Sequence, residues 1–159
     1  MKTTTLAAVL LALFGALLTA GASPKSSASF EKALSDAEML AGLNPAWSIH
    51  RTTGDSMGDF FGDNSLILVQ EASLAEIKVG MMIVYRSTNG ELISHKVVQH
   101  NGDNLRCIGT SNWNMDPEPI TGDMIVGTIF GVFHSAGAPQ GGVVASNGRP
   151  IPTAVCKRF

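Results

Sequence analysis

The chain reads as a mainly β fold with one short N-terminal helix, and three observations carry that reading. Beyond Trp47 the apolar residues fall into short runs, 66–69, 81–85, 92–98, 105–108 and 125–133, separated by turn residues. Two of the gaps carry Asn-Gly, at Asn89-Gly90 and Asn101-Gly102, the dipeptide that most readily supplies the positive φ of a tight hairpin. One stretch upstream of Trp47 has helical spacing instead.

The elements follow in order. Residues 1–22 combine Lys2, an apolar run from Leu6 to Leu18 and Ala20-Gly21-Ala22 before polar Ser23-Pro24-Lys25. That is the layout of a secretory leader cut after Ala22. The apolar run falls short of the roughly 20 residues of a spanning helix. The expected location is therefore exported, periplasmic or secreted, with membrane association only if the leader is retained as a tether. Residues 23–46 form a helical segment. Phe30, Ala33, Leu34, Ala37, Leu40 and Ala41 recur at helical spacing, and Gly42 and Pro45 end the helix.

Residues 47–133 are the β domain, since the chain after the leader is long enough for one domain and short for two. The two Asn-Gly turns make a three-stranded meander with 92–98 in its middle. Period-two alternation then sets His95 on one face with Ile93 and Val97, and Lys96 on the other with Ser94 and Val98. Residues 134–159 are rich in Gly, Ala and Pro and read as an extension wrapped on the surface.

Charge is nearly balanced, 11 Lys+Arg against 13 Asp+Glu. No basic block stands out, so nucleic acid is not an expected partner. Cys107 and Cys156 both follow the leader, where an oxidising compartment favours a bridge between them. Closing that loop would contribute about 4 kcal/mol by chain entropy. No Cys pair has zinc spacing, and His95 and His100 lie five apart on a strand, so no metal and no other cofactor is expected.

Three segments carry the chemistry: Gly54-Asp55-Ser56-Met57, Ile93-Ser94-His95-Lys96-Val97-Val98, and Gly109 through Asp116. A serine hydroxyl needs an adjacent base to act as a nucleophile, and an imidazole base works best when a third group fixes its tautomer. Ser56, His95 and Asp116 supply those three types in one small domain. Each has a plainer reading. Ser56 beside Gly54 and Gly58 suits a turn, His95 suits a half-buried strand, and Asp116 before Pro117 suits the start of a turn.

Over residues 52–133 these motifs resemble the superfamily of type I signal peptidases and self-cleaving repressors. Ser56-Met57 leading into Leu66-Ile67-Leu68-Val69 is similar to its nucleophile segment. Ile93-Ser94-His95-Lys96-Val97-Val98 is similar to the base strand of the archaeal and endoplasmic-reticulum branch. Gly109-Thr110-Ser111-Asn112 followed by Asp116 is similar to that branch's acidic segment, and Asp123-Met124-Ile125-Val126-Gly127 to its closing strand.

The resemblance implies a signal-peptidase-like β fold and a serine endopeptidase acting on peptide or protein substrates. Ser56 would be the nucleophile, His95 the general base and Asp116 the orienting acid. It further implies Met57 beside the substrate cleft and the Ser56 N–H as oxyanion donor. The chain departs from the family at Gly54, where a serine often assists the oxyanion, and at Asp59, where a proline is usual. Phe60, next to Phe61, is a second candidate for lining the cleft.

Three alternatives stand beside this reading. Lys96 would replace His95 as base if the strand register were one residue different. An esterase beginning with Gly-Asp-Ser would need an apolar strand before the serine, where His50-Arg51-Thr52-Thr53 stands, and an Asp three residues before a His, which is missing. A catalytically inactive exported domain on the same fold would use its cleft to bind peptides or a partner protein.

Overall fold

The computed structural model describes residues 23–137 and 141–159, so the expected leader lies outside the described residues. Helix α1 spans Phe30–Ala41. The Ser29 hydroxyl accepts from the Lys32 N–H at 3.2 Å and so satisfies one of the free donors of the first turn. At the other end the Gly42 N–H donates to the Glu38 carbonyl. Phe30, Ala33 and Ala37 are buried and join Leu66, Leu68, Val143 and Ile151 in one apolar cluster. No helix among the described residues is long and apolar enough to cross a membrane.

Seven strands follow: β1 Trp47–Gly54, β2 Leu66–Gln70, β3 Met82–Arg86, β4 Leu92–His100, β5 Leu105–Ile108, β6 Ile125–Phe133 and β7 Thr153–Cys156. They hydrogen-bond in the order β3-β6-β2-β1-β7-β4, and β4 pairs back to β3. Six strands thus close a barrel, and β5 extends the sheet beyond β4. Among the described residues the architecture is mainly β with one α-helix, as the sequence predicts. The β3-β4-β5 meander is present, with Gly90 and Gly102 at φ +86° and +84° in its two turns.

Two strands were not expected. β1 lacks an apolar run because its fully buried residues are His50 and Thr52. The Thr52 hydroxyl is satisfied by the carbonyls of Gly62 and Ser65, which makes its burial tolerable. β7 corrects the reading of residues 134–159 as a surface wrap. It inserts between β1 and β4, parallel to both, with Arg51 opposite Thr153, Gly54 opposite Cys156 and Ile93 opposite Val155.

The expected bridge is also corrected. Cys107 and Cys156 are free, buried thiols in different apolar clusters, Cys107 with Ile83, Tyr85 and Val97, and Cys156 with Met57, Phe61 and Val84. Burial pushes the Cys156 thiol up to about 12, with Asp63 and Asp55 adding to it, and raises Cys107 as well.

Candidate active site

Ser56 lies two residues past the end of β1, where Gly54 turns the chain at φ +93°. A Cβ on Gly54 would run into the Cys156 carbonyl, so the close approach of β7 depends on this glycine. The Ser56 carbonyl accepts from the Ser111 N–H at 2.7 Å, fixing the nucleophile turn to the loop after β5. His95 stands in the middle of β4. Asp116 is in that same loop, its N–H donating to the Cys107 carbonyl at 2.8 Å and its own carbonyl accepting from Arg106 at 2.7 Å.

These three separate segments bring the side chains into one line. Ser56 Oγ is 2.9 Å from His95 Nε2, and His95 Nδ1 is 2.7 and 2.8 Å from the two Asp116 carboxylate oxygens. A carboxylate only accepts, so Nδ1 carries a proton and donates to Asp116. In the neutral ring Nε2 is then left as the acceptor for the Ser56 hydroxyl. Ser56 and His95 are fully buried and Asp116 is 1% exposed.

Two residues that sequence reasoning missed complete the arrangement. The Tyr85 hydroxyl donates to Asp116 Oδ2 at 2.7 Å. Burial first, then the charge of Asp116, raises the Tyr85 pKa far above its ordinary value, so the phenol stays a donor. Its only sequence signal was its place on β3, opposite Ile93 and two residues along from the partner of His95. Gly109 is the second. A Cβ there would lie 2.6 Å from Ser56 Cβ and 2.9 Å from its Oγ, so no larger residue fits behind the serine.

The remaining candidates separate. Lys96 is half-buried opposite Met82 and Ile108 and makes no bond to Ser56. Met57 is fully buried in the cluster that contains Ala154 and Cys156 of β7. Phe60 is 40% exposed beyond it. His50 contacts Ser48 and His100 donates to the Ile77 carbonyl, both away from the three aligned residues. Among the described residues no group of three or more His, Cys, Asp or Glu is arranged to hold a metal ion.

The chain itself covers this site. The Ser56 N–H donates to the Cys156 carbonyl at 3.4 Å, and the Lys157 carbonyl lies 3.1 Å from His95 Nε2 and accepts from Asn112 at 2.9 Å. The Phe159 ring meets the His95 ring edge-on, with centroids 5.8 Å apart. No protein-family model and no curated protein matches the chain.

Proposed function

We propose that the protein is a serine endopeptidase of the signal-peptidase-like kind, acting by acyl transfer on peptides outside the cytoplasm. The observation that carries the reading is the buried Ser56–His95–Asp116 line, built from three segments far apart in sequence, with each distance within hydrogen-bonding range. A fortuitous cluster would not need to hold the serine on the free nitrogen of an imidazole whose other nitrogen is already fixed by a carboxylate.

In this reading Ser56 Oγ attacks a peptide carbonyl while His95 Nε2 takes its proton. The imidazolium gives the proton to the leaving amine, and water then releases the acyl group from Ser56. Asp116 holds the tautomer and offsets the imidazolium charge, and Tyr85 holds Asp116. The Ser56 N–H is the oxyanion donor of this reading, and in the structure it is held by the Cys156 carbonyl of β7.

A peptide-binding domain without catalysis is the second reading, favoured by the complete burial of Ser56 beneath residues 156–159. Reaction of the folded protein with a small serine-reactive phosphonate decides between them. Labelling of Ser56 that is lost in Ser56→Ala and His95→Ala is the result expected of a peptidase. Folded wild type that takes no label, together with binding that survives Ser56→Ala, would leave the second reading.

A further inference from the structure

Beyond β7 the chain adds no further rung to the sheet, yet residues 157–159 stay against His95 through contacts that each involve a side chain. Both basic side chains lie on carboxylates. Lys157 Nζ pairs with Glu91 at 2.5 Å, and Arg158 makes a two-point pair with Asp55 at 2.8 and 2.9 Å while donating to the Ser111 carbonyl at 2.6 Å. Asp55 adjoins Ser56, and Glu91 precedes β4, the strand of His95. Both carboxylates thus belong to the segments that bring the serine and the imidazole together. Phe159 sets its ring edge-on to His95 and shares with Lys157 a cavity of about 270 Å³ that reaches Tyr85, Asp116 and a further carboxylate, Glu118.

The backbone of the segment is gripped as well. The Lys157 carbonyl accepts from Asn112 Nδ2 at 2.9 Å. It also faces His95 Nε2 at 3.1 Å, but that nitrogen is an acceptor in the neutral ring, so Asn112 and not His95 holds the carbonyl. Asn112 Oδ1 is buried with no partner among the described residues. The carboxamide therefore binds one peptide C=O and keeps an acceptor open for a peptide N–H.

We infer that this is a subsite for basic peptide segments, and that Lys157-Arg158-Phe159 is a built-in competitor seated in it. Glu91 and Asp55 read the two cationic side chains, and Asn112 reads the backbone carbonyl between them. The inference rests on the serine-peptidase reading and names its substrate class, peptides with consecutive basic residues beside an apolar one. The occupant is displaceable: exposed ion pairs are individually weak, whereas Thr153–Cys156 is paired with strands on both sides. A tethered segment of modest affinity still excludes a free one through its high local concentration. Substrate enters by exchange, taking Glu91, Asp55 and Asn112 as residues 157–159 swing out on the end of β7.

The test uses the full chain and a fluorescent peptide containing Lys-Arg-Phe, with a control peptide in which glutamate replaces both basic residues, and reads binding by anisotropy. The triple variant Lys157→Ala, Arg158→Ala, Phe159→Ala should bind the basic peptide roughly tenfold tighter than wild type or better, and should not bind the control. Adding Glu91→Gln should weaken that binding by about two- to fivefold, the scale of one exposed pair. Circular dichroism checks that the triple variant is folded, and Arg158→Ala alone should give a smaller change in the same direction.

The same samples are treated with the phosphonate. Labelling of Ser56 that the basic peptide slows and the control does not supports the subsite. Equal binding of the two peptides, or binding no tighter in the folded variants than in wild type, overturns it; if Ser56 takes the label in that case, the peptidase reading stands without the subsite. If the basic peptide binds as expected while Ser56 stays unlabelled, the peptidase reading fails and the subsite stands as that of a binding domain.

Discussion

Asp116 has two jobs that one substitution separates. As a carboxylate it accepts from His95 Nδ1 and from Tyr85. As an amide it would present N–H groups and favour the wrong imidazole tautomer. Asp116→Asn should therefore leave the fold intact and slow phosphonate labelling of Ser56 by about a thousand- to ten-thousand-fold, read by intact mass against time.

His50, outside the site, governs a different property. Burial, followed by the charge of Arg86, lowers its pKa to about 4. The folded state then binds fewer protons than the unfolded one between about 6.5 and 4, so stability falls as pH falls through that window and is unaffected by this group above it. The loss should reach at most about 3 kcal/mol. Urea midpoints at pH 7 and pH 4.5 measure it, and His50→Gln should flatten the difference.

At the scale of elements, the loop after β5 matters as much as the strands, because it carries Asp116 and braces the Ser56 turn through Ser111. Gly109→Ala should push Ser56 away from His95 and abolish labelling while circular dichroism still reports a folded β protein. The segment beyond β7 is held by ion pairs rather than by sheet. Arg158→Ala, which removes the pair with Asp55, should speed labelling by up to about fivefold, the scale of one exposed pair. Unchanged rates would mean that residues 157–159 do not obstruct the site.

What the sequence revealed divides along the same elements. Helix α1 and strands β2 to β6 carry apolar periodicity, and two Asn-Gly turns fix their neighbours, so both could be read from local pattern. Ser56, His95 and Asp116 were legible because each sits in a short segment of distinctive residues. β1 was not, since its inward residues are His50 and Thr52, polar side chains that give no apolar period, and the burial of Thr52 depends on the carbonyls of Gly62 and Ser65 in the turn that follows. β7 has four residues in Gly/Pro-rich surroundings, too few for any period to register. The pairing of Cys107 with Cys156 failed for a related reason: spacing along the chain does not say which cluster a side chain joins.

For the whole molecule, barrel closure ties together distant parts of the sequence. Arg51 of β1 pairs with Thr153 of β7, the first strand of the barrel with the last. Such non-local pairings delay folding, so refolding followed by tryptophan fluorescence should take milliseconds to seconds rather than microseconds.

The position of β7 has a further consequence for biosynthesis. A polypeptide leaves the ribosome or a translocation channel from its N-terminus, so Ser56, His95 and Asp116 all emerge before Thr153. Until Thr153–Cys156 follows, β1 and β4 expose unpaired edges to any extended segment nearby. The chain's own strand arrives already tethered, so its effective concentration favours it over any foreign segment for the place between β1 and β4.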